Sequence, residues 1–293
     1  MSLDTIPEEL EIAQALLDTP GGTPVVGLAR TPQKAQGLDM KIRPGDYSEP
    51  MQLQASLTGI DTLLLVSGID PPEERIQQHR NVIEAAQIAG VGKIVYTGIQ
   101  GPEQGTRFSP VVQSSRQTEA DIRASGLTWV IGRNGIYIEP DVDYIDSYRS
   151  RGEIANSAGD GKCGYTTRAE LAHAYAQLLL NSDHDNQIVN INGTPITQAQ
   201  LVNYMNSAFG TQLTYRTMTA AEYTEDRTAE LGPFFGEIIA GIYDGIRLGA
   251  YDNASDFDAV TGRSHGRTKA GMRTSAHVAS FLTHVALHQR SSF

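Results

Sequence analysis

Two rhythms of apolar residues run along the chain. In the first half, short apolar runs alternate with longer stretches in which apolar residues return every three or four positions. The runs are Pro24–Ala29 (PVVGLA), Thr62–Val66 (TLLLV), Lys93–Thr97 (KIVYT) and Thr128–Ile131 (TWVI), together with the alternating Met40–Arg43 (MKIR), which stops at Pro44-Gly45. Near-continuous apolar character predicts strands covered on both faces. Between them, Pro72–Ala89 carries Ile76, Val82, Ile83, Ala86 and Ile88 at helical spacing and stops at Gly90. Val111–Ala124 reads the same way and stops at Gly126. These spacings predict helices with glycine stops. Strands alternating with helices predict βαβ units and a parallel sheet from about Pro24 to Ile131.

The rhythm changes after about Asp141. Helical patterns then dominate, over roughly Arg168–Asn181, Thr197–Phe209, Ala220–Glu230, Phe234–Leu248 and Lys269–Leu287. One apolar run, Ile188–Ile191, predicts a strand among them. The expected organisation is an α/β chain with a Rossmann-like core over residues 1–140, helices covering both faces of its sheet. A smaller, mostly helical cap over 141–293 follows, with some returning strand.

The start of the chain departs from this pattern. A strand and a glycine-rich phosphate loop should precede the first helix, and MSLDTIPEELE stands there instead. Thr5 can cap a helix, Pro7 suits its first turn, and Glu8 three residues after Thr5 completes a capping box. Glu8, Glu9 and Glu11 favour the positive end of the helix dipole. In a Rossmann-like fold that same end receives a pyrophosphate, so these carboxylates would compete with it. The expectation is a first strand and glycine loop that are missing, and weakened phosphate binding.

Composition narrows the class. The chain has 293 residues, 40% hydrophobic and 19% charged, enough for a packed core. Lys and Arg number 23 against 34 Asp and Glu, for a net charge of -11. An acidic surface repels phosphate backbones, so no direct nucleic-acid partner is expected. The single cysteine, Cys163, cannot form an internal disulfide and fits a reducing compartment. The longest aliphatic run is too short to span a bilayer, and the acidic start does not read as a signal peptide. A cytoplasmic chain with no membrane partner is the expectation, and a homo-oligomer stays open.

Candidate chemistry gathers at the ends of the predicted strands, where ligands of open α/β sheets bind. Arg30 ends the first run, and an Arg there suits the 2′-phosphate of NADP. Asp46-Tyr47, Ser67-Gly68 and Tyr96-Thr97-Gly98 each follow or end a strand. A Gly-x-Gly-x-x-Gly match at Gly159–Gly164 falls after the parallel strands, so an ordinary turn is expected of it. No Tyr is followed four residues later by Lys, no paired-cysteine or His-Glu-x-x-His motif supports a metal, and no Gly-x-Ser-x-Gly elbow occurs. His79 and His173 lie in predicted helices and read as packing. Tyr137, Tyr144 and Tyr148 follow a strand end at the domain junction, where they line an aromatic pocket or pack between domains. No catalytic residue is assigned.

Taken together, LARTPQKAQGL, GDYSEP, LLLVSG, QHRNVIEAAQIAGVGKIVYTG, SGLTWVIGRNGIY, AGDGK, TTRAELAHA and GEIIAGIYDGIRLGA resemble the NmrA-like, atypical short-chain dehydrogenase/reductase family. The resemblance runs from about Ile12 to Thr261 and is to its NADPH-dependent quinone oxidoreductase and triphenylmethane reductase branch. It implies a Rossmann core with a small C-terminal domain. It also implies NADP(H) bound through Arg30, Asp46, Tyr47, Ser67, Gly68, Tyr96, Thr97 and Gly98, with Arg133, Asn134, Gly135 and Tyr137 bordering a cleft for a small aromatic substrate. Two positions depart. The family's glycine loop would fall on Leu3–Glu9, which holds no glycine, and the Lys or His many relatives carry in the helix before SGL is here Ser115, beside Arg116. The implied activity is NAD(P)H-dependent reduction of a quinone or similar aromatic. The alternative is a non-catalytic, NADPH-sensing or regulatory relative, and a third reading places a strand and glycine loop upstream of Met1.

Overall fold

The computed structural model describes residues 7–18, 24–35 and 40–266. Its first half runs α1 (Pro7–Leu17), β1 (Val26–Ala29), β2 (Lys41–Pro44), α2 (Pro50–Leu57), β3 (Thr62–Val66), α3 (Pro72–Ala89), β4 (Lys93–Ile99), α4 (Ser109–Ala124) and β5 (Thr128–Asn134). The chain continues through β6 (Ile136–Tyr137), α5 (Glu139–Asp143), α6 (Ile145–Arg151), β7 (Glu153–Asn156), β8 (Lys162–Cys163), β9 (Tyr165–Thr166) and α7 (Arg168–Leu180). Last come β10 (Gln187–Ile191), β11 (Ile196–Thr197), α8 (Gln198–Phe209), β12 (Thr214–Thr217), α9 (Ala220–Leu231), α10 (Pro233–Arg247) and α11 (Phe257–Thr261).

The main sheet is parallel, in the order β10-β5-β4-β3. Side chains on a strand alternate between faces, which explains the apolar runs. Leu63, Leu65, Ile94, Tyr96 and Ile131 pack on one face with Leu53 and Leu57 of α2, Val82, Ile83 and Ala86 of α3, and Ile122 of α4. Their sequence neighbours Val95 and Val130 pack on the other face with Ile12 of α1, Leu171, Tyr175 and Leu178 of α7, and Phe257 of α11. Helices on both faces of a parallel sheet make this the expected Rossmann-like fold. Gly90 ends α3 in the left-handed conformation, φ 75°, which favours glycine.

Two expectations are changed. β1 and β2 pair in parallel with each other, yet among the described residues they share no ladder with β3. Residues 1–6, with the capping reading of Thr5 and most of the glycine-loop position Leu3–Glu9, lie outside the described residues, as do the side chains of Pro7, Glu8 and Glu9 and the helix expected over 269–287. The run at Ile188–Ile191 leaves the cap and returns to the main sheet, where β10 pairs with β5 from Gln187↔Val130 to Ile191↔Asn134.

The C-terminal half has its own core. Ile138, Val142, Ile154, Cys163, Tyr165, Leu201, Met205, Leu213, Ile246 and Tyr251 pack together. The Gly159–Gly164 stretch serves this packing. It turns into β8, and a Cβ on Gly164 would stand 2.5 Å from Asn192 Nδ2. No described helix is long and apolar enough to cross a membrane.

Candidate functional site

Parallel strands in register deliver their carboxyl ends to one edge. Ala29 lies opposite Pro44, Val66 opposite Thr97, and Ile99 opposite Asn134. Arg30 follows β1 there. It is exposed, and no carboxylate pairs with it among the described residues. Asp46 forms a tight turn after β2, its Oδ1 accepting the Ser48 N–H at 2.9 Å. Tyr47 lies edge-on to His79 with centroids 6.2 Å apart, and its carbonyl accepts from Asn81.

The loop after β3 is held from below. The Ser67 N–H donates to Thr97 Oγ1 at 2.9 Å, and the Gly68 N–H donates to His79 Nε2 at 3.1 Å. Tyr96 is fully buried, with its hydroxyl 3.2 Å from both Ser67 Oγ and Ser115 Oγ. The side chains of Tyr96 and Thr97 thus shape the Ser67-Gly68 loop from inside the core. At Gly98 a Cβ would stand 3.1 Å from the Gly132 carbonyl, so β4 and β5 run close together where they leave the sheet. Ser115 spends its hydroxyl on Tyr96 in the core.

His79 is a loop anchor. Because Nε2 accepts from Gly68, the neutral ring's proton is on Nδ1, 2.8 Å from Thr118 Oγ1. Burial, reinforced by the Arg75 charge, pushes its pKa from 6.5 down to about 3. The unfolded chain therefore binds a proton below pH 6.5 that the folded chain refuses until about pH 3. This makes folding weaken as pH falls through that window. His79→Gln is expected to flatten the acid branch of a stability-versus-pH curve; an unchanged difference between native and variant from pH 7 to pH 4 would contradict the assignment.

Beyond the ends of β4 and β5 lies a cavity of about 320 Å³, in the range of small-ligand sites. Gln100, Asn134 and Tyr137 form its wall at the sheet edge, and Tyr144, Tyr148, Tyr223 and Tyr243 its aromatic lining. Gln100 is held by bonds to Asn192 and Asn253, and Asn134 Oδ1 accepts from Tyr175 at 2.6 Å. Asn134 and Tyr137 thus face the cavity. Arg133 does not line it. Adjacent strand residues point to opposite faces, and its guanidinium pairs with buried Glu119 of α4, Nη2 to Oε2 at 2.6 Å. Asp141, Tyr223, Arg227, Ile239 and Tyr243 line the cavity without having been singled out in the sequence. On α10, Ile239, Ile242 and Tyr243 share one helical face, a spacing visible in GEIIAGIYDG.

A Rossmann-like sheet with an exposed arginine at its carboxyl edge, next to an aromatic cavity, defines a nucleotide-binding α/β protein. A family model described as NAD(P)H-binding matches residues 10–182, and the chain belongs to that family, among its NmrA-like oxidoreductases. It is 31% identical over 216 residues to quinone oxidoreductase 2 of Escherichia coli, covering 72% of this chain and 74% of that one. It is also similar to two solved structures. The Citrobacter sp. triphenylmethane reductase shares 29% identity at TM-score 0.84, covering 92% and 96% of the two chains. The E. coli NADPH-dependent quinone oxidoreductase in complex with NADPH shares 26% at TM-score 0.84, covering 93% and 96%.

Proposed function

We propose that the chain is an NADP(H)-dependent reductase of quinones or similarly flat aromatic acceptors. The observation that carries this reading is the tyrosine-lined cavity opening at the carboxyl edge of the sheet, where the loops after β4 and β5 leave it. The residues at that edge fit the cofactor. Arg30 offers an exposed guanidinium with no carboxylate partner among the described residues to a 2′-phosphate, Asp46-Tyr47 and Ser67-Gly68 border the nucleoside side, and the backbone at Thr97-Gly98 leads toward the cavity. When bound, the reduced nicotinamide supplies hydride. Asn134 and Tyr137 border the acceptor, and Arg133, paired with Glu119, fixes the end of β5.

The test is consumption of NADPH by the full chain with and without a quinone. Turnover is expected with flat aromatic quinones and not with aliphatic aldehydes; no quinone-dependent consumption would sink the reading and favour a cofactor-sensing protein. Arg30→Asp is expected to weaken NADPH binding by roughly tenfold or more, the loss of a charge-assisted contact, with NADH little changed. Equal losses for both nucleotides in a calorimetric titration would show that Arg30 does not read the 2′-phosphate.

A further inference from the structure

One carboxyl group in the cavity is buried without a cationic partner among the described residues. Asp141 lies on α5, only 5% exposed, in the wall that faces the sheet edge. Buried acids are ordinarily paired with a cation. No Lys or Arg pairs with Asp141 among the described residues. Its hydrogen bonds come from two tyrosine hydroxyls, Tyr148 of α6 at 2.8 Å and Tyr243 of α10 at 3.5 Å, both to Oδ1. Among the described residues the other titratable groups around it are Tyr137 of β6, Tyr144 between α5 and α6, Tyr223 and Arg227 of α9, Cys163 of β8 and Tyr165 of β9. Arg227 is engaged elsewhere, by Asp226 and by Glu230 at 2.6 Å.

Resting on the reductase reading above, we propose that Asp141 is the proton donor for reduction of a quinone in this cavity. The electrons and protons balance. Hydride carries two electrons to the quinone, which becomes the hydroquinone monoanion while the nicotinamide is oxidised. The Asp141 O–H bond then breaks, a new O–H bond forms on the charged quinone oxygen, and neutral hydroquinone leaves. The remaining carboxylate is hydrogen-bonded by Tyr148 and Tyr243 until water returns a proton. Burial raises the Asp141 carboxyl from 3.8 to about 6 against the opposing hydrogen bonds of Tyr148 and Tyr243. It therefore keeps a proton where an exposed aspartate has lost one.

The experiment compares an acceptor that needs a proton with one that does not. A quinone such as 1,4-naphthoquinone takes hydride and a proton. A triarylmethyl cation such as malachite green takes hydride on carbon and becomes neutral with no proton. Asp141→Asn is expected to lower kcat with the quinone by roughly 100-fold or more, the scale of general acid catalysis, and to lower kcat with the cation by no more than a small fraction of that loss. Native kcat with the quinone is expected to fall as pH rises through about 6, and the variant's profile to be flat. Parallel losses on both acceptors, no loss on the quinone, or a native quinone profile flat from pH 5 to 8 would each overturn the proposal. A native protein that oxidises NADPH with neither acceptor overturns the reductase reading and the proposal together.

Discussion

Gly135→Ala is expected to cost roughly 3 kcal/mol of folding stability, at the upper end of what overpacking exacts. Gly135 links β5 to β6 at a crossing of three backbone segments. A Cβ there would press into the Gly164 carbonyl and stand 2.7 Å from Asn192 Cβ. Neither neighbour yields easily. Gly164 is itself packed against Asn192, and the Asn192 side chain is held by the carbonyls of Gly193 and Asn253. The Gly135 N–H also donates to the Ile191 carbonyl at 2.9 Å, so a shift would strain the end of β10. Since Asn134, Gly135, Ile136 and Tyr137 all line the cavity, the variant should lose acceptor affinity as well as stability. A melting temperature within a degree or two of the native protein would show that the crossing is loose.

Asp141→Asn is expected to move stability in the opposite direction. Above pH 6 the folded protein holds a carboxylate where burial raises its pKa from 3.8 to about 6. A raised carboxyl pKa means that ionisation opposes folding. The folded state binds the proton more tightly between pH 3.8 and 6, and the penalty is complete above pH 6. At about 1.4 kcal/mol per unit, and allowing for solvent relaxation, removing the charge should add roughly 1–3 kcal/mol at pH 8. The gain should shrink toward zero at pH 4, where the native carboxyl is protonated. His79 works against Asp141 in this window, so only the difference between variant and native isolates the effect. A variant less stable than the native protein at pH 8 would mean that the carboxylate holds the tyrosines in place. A stable but quinone-inactive variant is the signature of a group kept for chemistry at the expense of folding.

The sheet was legible because its strands are buried on both faces. TLLLV is β3 to the residue, and KIVYT and TWVI extend only by the residues that lead into the site. Helix α3 was legible from end to end, since Pro72 suits its first turn and Gly90 its stop. Helix α2 escaped notice because only Leu53, Ser56 and Leu57 of its eight residues are buried. The pairing of β10 was invisible because the short run Ile188–Ile191 does not name its partner. The carboxyl-edge positions could be placed from strand ends alone. The cavity could not, because Asp141 and Tyr148 meet Tyr223 and Tyr243 only after about a hundred residues of chain fold back. Family resemblance put Arg133 beside the substrate with Asn134; strand alternation sends the two side chains to opposite faces.

The most direct measurement of the central claim is a single turnover. The full chain is loaded with NADPH, either unlabelled or deuterated at the transferred C4 position, and mixed with saturating 1,4-naphthoquinone. The account expects nicotinamide oxidation that requires the protein and slows with the deuterated cofactor, because hydride transfer occurs at the cavity's sheet-edge wall. Oxidation no faster than in buffer alone would contradict it.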